Sequence, residues 1–579
     1  MTLLCVPILV RDFDSALALA HEAKAAGAGM IEFRVDEFFD PAAAEADPSR
    51  QERDISRLVS RSPLPCILTC RSASEGGGYE GDENERASLY EQIATRGAAD
   101  RLPPRYIDVE FAAFTMTSVM RKSIEHAIDF PDRKRSEAPG LILSAHDFEA
   151  RPADLVRKLL AMRAEPAANV LKIAYRARSL RDNLELFEIL SQADRPMIAL
   201  GMGEFGLISR ILAPKFGAFL TFASLRPESV TAPGQPTVQE LLDLYRFRSI
   251  RPTTRVYGVV GWPVGHSLSP LVHNAAFART GFDGVYLPLP IPAPEADNGR
   301  DRAEGSYASF KATLGALIDD PRLDFSGASV TLPHKENLVR FAMERLKSEP
   351  GVWSIDATSL RTGSANSLLI ERVGVAGNTR LSRARIFNTD VRAAVEPLSA
   401  ALGGLAGKRV AVAGAGGVAR GIAWGLASAG AAVTVFNRDV ARAAKLVSEI
   451  SPQFQGSGSL RASPLEAFSM RESFHALVNC TPLGMAGGPD EAGSAFPLGE
   501  DANSGNLPPG PVVLDTVYNP VQTPLVREAR RRGLRVIDGV TMFAGQAAAQ
   551  SSAWTGAEIP IDFVEGLVRS KLEGGISEK

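Results

Sequence analysis

The chain of 579 residues has almost no excess of charge, with Lys+Arg 64 against Asp+Glu 67 and a net −3. That balance removes the electrostatic case for a nucleic-acid or membrane-surface partner. Cysteine is scarce. Cys5, Cys66, Cys70 and Cys480 form no CxxC pair, and three of them fall in apolar strand-like runs, which suits buried thiols in a reducing compartment. The opening "MTLLCVPILVRD" lacks the charged lead and small-residue cleavage site of a signal peptide, so it reads as a first strand and a cytoplasmic location is expected. No apolar run is long and unbroken. The best candidate for a membrane span, Val410–Phe436, contains Arg420 and is interrupted by Gly414, Gly416, Gly417, Gly421, Gly425 and Gly430. No internal repeat is visible.

What is present is a soluble composition, 45% hydrophobic and 23% charged, in a chain long enough for three or four domains. The first 247 residues alternate regularly. Strand-like runs at Leu3–Val10, Met30–Arg34, Cys66–Arg71, Tyr106–Glu110, Leu141–His146, Val170–Ala174, Met197–Met202 and Phe219–Ala223 are separated by helical patterns such as Asp14–Ala26, Glu85–Ala98 and Ala153–Ala164. A last helical pattern, Thr237–Phe247, closes the series. Eight strand–helix units predict an α/β fold, a (β/α)₈ barrel, with polar residues gathered at the C-terminal strand ends. The charged link Arg248–Arg255 follows, stopped by Pro252. Beyond it lies a second α/β region. Stretches at Pro292–Gly305, Arg372–Arg383 and Ala486–Pro511 read as loop-like surface insertions. The expected division is 1–250, 255–397, 398–545 and 546–579.

Charges at barrel strand ends cost several kcal/mol each unless paired, so they imply a site. Glu32 and Arg34 share one strand face by alternation, and Arg71, Glu110, His146 and Lys172 end or nearly end the next four strands. A strand-terminal lysine is ordinarily solvated or ion-paired. As a nucleophile it must shed a proton that it normally holds far above neutrality, and Arg34, Arg71 and Arg210 around it are expected to help. His146 beside it is the natural proton carrier. Glu75, on the glycine-rich loop "RSASEGGGY", is either a solvated loop acid or the group that orients that imidazole.

The motifs "EFRVD", "TCRSASEGG", "SAHDF", "LKIA", "GEFGLISR" and "TAPGQPT" resemble type I 3-dehydroquinate dehydratase, in order, over nearly all of residues 1–247. The resemblance implies that Lys172 forms an imine with a substrate ketone, that His146 moves the proton and that Glu75 supports it. It further implies that Glu32, Arg34, Arg71, Arg210, Thr231 (where serine is common) and Gln235 hold the substrate, with no metal required.

Downstream, Gly414, Ala415, Gly416, Gly417 and Val418 follow one strand-like run and open a helix, the setting in which a glycine turn binds a dinucleotide. The next strand ends in Asn437–Arg438, where a guanidinium suits the 2′-phosphate of NADP. Asp439, one place later, leaves a ribose contact open. The motifs "GWPVGHSLSPLVHN", "SVTLPHKE", "GSANS", "NTD", "NCTPLGM", "DTVYNP" and "DGVTMFAGQAA" resemble shikimate dehydrogenase across 256–579. This implies a Lys335–Asp390 dyad and carboxylate-binding Ser267 and Ser269. Thr331, Asn366, Tyr518 and Gln546 would bind the remainder of the substrate, with Thr481 and Gly539 beside the nicotinamide. Val391 and Phe387 stand where the pattern has glycine.

The order of the two families resembles the fused enzyme of plants. It implies dehydration of 3-dehydroquinate to 3-dehydroshikimate and its NADPH-dependent reduction to shikimate. Alternatives are a quinate/shikimate dehydrogenase of relaxed specificity, or a ligand-sensing relative without catalysis.

Overall fold

The computed structural model describes residues 1–39, 47–95, 102–131, 134, 137–229, 234–293, 302–375, 378–453, 457–470, 472–498 and 510–574. Two units part between Thr254 and Arg255. In the first, eight strands lie parallel around a barrel: β1 Leu3–Leu9, β2 Met30–Arg34, β3 Cys66–Thr69, β4 Tyr106–Glu110, β5 Gly140–Asp147, β6 Ala168–Arg176, β7 Met197–Met202 and β8 Leu220–Phe222. Strand β8 is three residues long and pairs with β1, while Phe219 N donates to Met197 O at 2.8 Å across the β7–β8 seam. The barrel is nearly closed.

Inward-facing Cys5, Met30, Ile67, Ile142, Val170 and Ile198 fill the N-terminal end of the barrel. With the floor apolar, the charged side chains of the same strands fall at the opposite end, where this fold places its chemistry. Intervening helices bury one stripe each. The first, Phe13–Ala26, starts on an Asp12 side-chain cap and stops at Gly27, whose φ of 101° suits glycine. The expected Thr237–Phe247 helix is instead a wide π-helical turn at Glu240–Leu244, ended by Arg246 in the left-handed region. Buried Lys215 then fastens the chain as it leaves the barrel, with Nζ donating to Pro252 O at 2.8 Å and Thr254 O at 2.9 Å.

The second unit holds two sheets. One is mixed, built from β9 Arg255–Gly261, β10 Gly284–Pro290, β11 Phe325–Val330, β12 Trp353–Ile355, β13 Ser367–Val375 and β14 Asn378–Phe387 in the order 10-9-11-13-14-12. Strands β13 and β14 pair antiparallel along their whole length. The Arg372–Arg383 stretch expected as a loop is therefore a hairpin extension, whose alternation of arginines with Leu381 and Ala384 is strand-like once the pairing is known. Of the two other expected loops, Pro292–Gly305 has residues 294–301 outside the described residues, with a helix starting at Arg302, and Ala486–Pro511 has residues 499–509 outside them.

The other sheet is wholly parallel: β15 Arg409–Ala413, β16 Ala432–Asn437, β17 Ser459–Pro464, β18 Ala476–Asn479, β19 Val512–Asp515 and β20 Val536–Ile537, in the order 17-16-15-18-19-20. This is the Rossmann order, with the strand-order reversal beside β15. Helices Gly539–Thr555 and Ile561–Gly574 pack Val540, Ala544, Val564 and Val568 against Val272 and Ala276 of helix Ser269–Thr280. Gln550 Nε2 donates to Ser367 Oγ at 2.8 Å and Trp554 Nε1 to Leu368 O at 3.1 Å, tying the C-terminal helices to β13. Among the described residues no helix is long and apolar enough to cross a membrane.

Candidate active sites

The barrel mouth is a cavity open to solvent, lined mainly by charged and polar side chains. Glu32, Arg34, Arg71, Glu75, His146, Lys172, Arg210 and Gln235 all line it. Thr231 lies outside the described residues. Alternation along β2 aims Glu32 and Arg34 inward, and the β5–β6 register sets Ser144 beside Lys172.

Lys172 is buried, and its Nζ donates to Asp108 Oδ2 at 2.9 Å, with Glu32 Oε1 at 3.7 Å and the Phe222 ring centroid at 4.7 Å. Two of the arginines expected to help this lysine shed its proton are themselves in ion pairs. Arg71 is paired with Asp108 at 2.7 Å and Glu110 at 3.1 Å, and Arg34 is paired with Asp36 at 2.7 Å. Lys172 stands in a buried ion-pair network.

Arg210 is different. It is 1% exposed, its Nε has no hydrogen-bond partner among the described residues, and burial pushes it down to about 10. A dehydrated guanidinium of this kind is a receptor for a carboxylate.

His146 receives Glu75 twice: the carboxyl Oε2 accepts from His146 N at 2.9 Å and lies 3.0 Å from Nδ1. Burial, followed by Arg71 and Lys172, pushes the imidazole well below its ordinary value, so a neutral base is available at pH 7. Burial also lifts Glu75 up to about 7. The loop carrying Glu75 is shaped by glycines. A side chain on Gly76 would strike the ring of Phe148, and one on Gly77 the backbone of Arg71. Asp36 holds the same loop by accepting from Gly78 N at 2.9 Å.

Asp108 escaped the sequence reading. It is 1% exposed and accepts from Arg71 at 2.7 Å, Ser144 Oγ at 2.6 Å and Lys172. The signal was available, because Asp108 sits two residues before Glu110 and alternation puts both on the inward face.

In the second unit, Lys335 begins helix Lys335–Ser348 just past the Thr331–His334 turn, and Asp390 begins helix Asp390–Leu402 just past β14. The topology brings them together, with Nζ to Oδ2 at 2.6 Å and both side chains 10% exposed. Asp390 Oδ1 accepts from Asn366 Nδ2 at 2.8 Å, and that same amide reaches Thr389 Oγ1 at 2.9 Å and Gln546 Oε1 at 3.4 Å. Ser267 accepts from Ser269 N at 3.2 Å, and the half-buried Tyr518 has its ring 4.6 Å from that of Phe543.

Val391 does not disturb the dyad. Gly421 and Gly425 on the facing helix Gly417–Ser428 leave room for its methyls, and a Cβ at either would lie 2.9 or 2.6 Å from them. Phe387 closes β14 with the Arg385 guanidinium over its ring at 4.8 Å. Asn388 keeps the turn by donating to Ser364 O at 2.9 Å and accepting from Val391 N at 3.1 Å.

The glycine turn fits a dinucleotide. Gly414 has φ 107° and packs on the Cys480 backbone. A Cβ on Gly416 would meet nothing within 4 Å, and helix Gly417–Ser428 begins without a side-chain cap, leaving its first amides for a pyrophosphate. Ala415 and Val418 complete the turn. Arg438 is exposed at the end of β16, and Asn437 Nδ2 donates to Asp439 O at 2.9 Å. The Asp439 carboxylate is committed to capping helix Val440–Ile450, accepting from Ala441 N and Arg442 N at 3.0 and 3.2 Å. The exposed Arg438 guanidinium at this strand end suits a 2′-phosphate.

Thr481 is fixed by Asn479 Oδ1 at 2.7 Å, and Asn479 in turn by Asp515 at 2.9 Å. Gly539 lies so close to the Val517 carbonyl that no side chain fits. Among the described residues no group of three His, Cys, Asp or Glu is placed to hold a metal ion.

Family models match in the same order: type I 3-dehydroquinase over residues 4–252, the shikimate dehydrogenase substrate-binding domain over 259–349, and shikimate/quinate 5-dehydrogenase over 397–461. The chloroplastic bifunctional 3-dehydroquinate dehydratase/shikimate dehydrogenase of Arabidopsis thaliana is 35% identical over 564 residues, covering 96% of this chain and 83% of that one. The chain belongs to this bifunctional family. A shikimate dehydrogenase (NADP(+)) from Methanocella arvoryzae is 36% identical over 318 residues, 55% of this chain and 99% of its own. The Thermus thermophilus shikimate 5-dehydrogenase, solved with NADP(H) and shikimate, is 32% identical over 55% of this chain and 99% of its own, with a TM-score of 0.40.

Proposed function

We propose that the barrel forms an imine between Lys172 and the ketone of 3-dehydroquinate, and that the second unit protonates 3-dehydroshikimate from the Lys335–Asp390 couple as it is reduced to shikimate. The activities are 3-dehydroquinate dehydratase and NADP-dependent shikimate dehydrogenase, in that order along one chain. The observation that supports the residue assignment most is that each lysine is buried in direct contact with a carboxylate at the mouth of its own strand ends.

In the barrel, Arg210 takes the substrate carboxylate, with Arg71, Glu32, Arg34, Gln235 and Thr231 around the hydroxyls. The iminium on Lys172 draws electrons from the neighbouring carbon. Neutral His146 removes its proton, held in one orientation by Glu75, and returns it to the departing hydroxyl, which leaves as water. In the second unit, Ser267, Ser269 and Tyr518 receive the carboxylate, and Thr331, Asn366 and Gln546 receive hydroxyls. NADPH, held by the Gly414–Val418 turn, Asn437 and Arg438 with Thr481 and Gly539 at the nicotinamide end, supplies the hydride when bound. Lys335, steadied by Asp390, delivers the proton to the carbonyl oxygen.

We assign residues 255–397 and 546–579 to the substrate and 398–545 to the cofactor. The buried thiols of Cys5, Cys66 and Cys70 support a reducing, cytoplasmic setting. The test is a steady-state assay started with 3-dehydroquinate and NADPH. Consumption of NADPH is expected, together with borohydride-dependent addition of substrate mass at Lys172. NADPH consumption from 3-dehydroshikimate but not from 3-dehydroquinate would overturn the barrel assignment.

A further inference from the structure

Nothing in the dehydration steps above uses Asp108, yet it is the most deeply held acid of the barrel mouth. Its Oδ1 is fixed by two donors, Arg71 Nη2 at 2.7 Å and Ser144 Oγ at 2.6 Å, which leaves Oδ2 aimed at Lys172 Nζ at 2.9 Å. The other nearby acid, Glu32, is farther from Nζ at 3.7 Å and already accepts from Thr69 Oγ1 at 2.8 Å. A buried ion pair is a poor device for stability, since apolar residues in its place do as well or better. This one is aimed by two neighbours, Arg71 and Ser144, at a single reacting atom.

We propose that Asp108 is a catalytic residue of the dehydratase, the fixed counter-charge to the Lys172 nitrogen as an ammonium and then as an iminium. It keeps the imine protonated while the adjacent C–H breaks. The inference rests on the imine reading of the barrel. The step balances: ammonium plus ketone gives iminium plus water, a C–N bond forming and the C–O bond breaking. Two of the three ammonium protons leave with the oxygen and one stays on nitrogen. The nitrogen carries one positive charge before and after, so a carboxylate locked beside it matches both states. It need move no atom between them, which is what preorganisation means. Burial works against an ionised Asp108, but Arg71 and Lys172 outweigh it and hold the carboxyl below the usual range. An imine that lost its proton would be a weak electron sink, and the neighbouring carbon would keep its hydrogen.

The experiment uses the full chain. Borohydride with 3-dehydroquinate must first tag Lys172 in the wild type; no tag there defeats the imine reading itself, separately from the role of Asp108. In Asp108→Asn the dehydratase kcat is expected to fall about 100-fold at pH 7. The alkaline limb of its pH profile should move by a unit or more toward acid. Asp108→Glu should restore the limb in part, and Ser144→Ala, which removes only a neutral donor, should leave the limb in place. A kcat within threefold of wild type, or a loss of rate with unmoved limbs, would overturn the proposal. Raman spectra of the wild type with 3-dehydroshikimate bound decide the matter even if Asp108→Asn does not fold. A C=N stretch that shifts in D₂O from pH 6 to 9 supports the counter-charge, and one that loses the shift by pH 8 refutes it.

Discussion

Lys172 and Lys335 are both buried against an aspartate, at 2.9 and 2.6 Å, yet their surroundings are opposite. Around Lys172 the groups are ionic: Asp108, Glu32, Arg71, Glu110 and the His146–Glu75 pair. Around Lys335–Asp390 they are neutral, the Asn366 amide being the donor that completes the aspartate. A nitrogen that carries a covalent intermediate needs its charge held in place, so it sits inside a rigid ionic lattice. A couple that hands over a proton on each turnover needs a charge free to change, and neutral amides and hydroxyls allow that at less electrostatic cost.

The sharpest way to break this comparison is to remove each lysine. Lys172→Met should lower dehydratase kcat by about 10⁴-fold or more while NADP reduction by shikimate continues at the wild-type rate. Lys335→Met should do the converse, lowering dehydrogenase kcat by roughly 10²–10⁴ with little change in KM and leaving dehydratase intact. Cross-effects of either change on the other activity would show that the two couples are not independent.

Arg210 separates binding from stability. Arg210→Met should reduce dehydratase kcat/KM by roughly 30-fold or more, mainly through KM, because it removes a dehydrated charge from the carboxylate site. It should also raise the denaturation midpoint of the ligand-free protein, since among the described residues no anion is paired with that buried cation. A lower midpoint would mean that Arg210 has a structural partner.

Glu75 sharpens the ionic side of the comparison through pH. Its carboxyl is raised to about 7 from an ordinary 4.5, so the stability it confers is present below the ordinary value and lost as pH climbs toward 7. Glu75→Gln should remove that part of the decline. The urea midpoint of barrel proteolysis, followed between pH 4.5 and 7.5, measures it.

The smallest effect is expected at the neutral side. Gly425→Ala sets a Cβ 2.6 Å from Val391 and should cost about 1–3 kcal/mol, with Val391→Gly in the same chain relieving it. A double-mutant cycle on the melting of the second unit tests the pairing.

Much of this was legible in the sequence. Three barrel strands end where alternation put them, and Glu32, Arg34, His146 and Lys172 reached the same cavity because strand period and fold handedness leave no other place for them. What was not legible was who pairs with whom. Arg71 and Arg34 were named as cations near Lys172, but a sequence shows an arginine and not the Asp108 or Asp36 that pairs with it. The Arg372–Arg383 hairpin was missed for a similar reason. Its polar alternation resembles a loop until a partner strand is known, and β-pairing is a long-range fact. Asp439 Oδ1 caps helix Val440–Ile450, a local competitor for the ribose contact that the sequence left open.

The fastening of Lys215 on the carbonyls of Pro252 and Thr254 has a practical meaning for anyone who would cut the halves apart. A recombinant dehydratase that stops at residue 247 would take the Pro252 and Thr254 carbonyls away from the Lys215 ammonium, whereas one that runs through Thr254 keeps both bonds. The safe scissors mark for modular expression lies after that threonine.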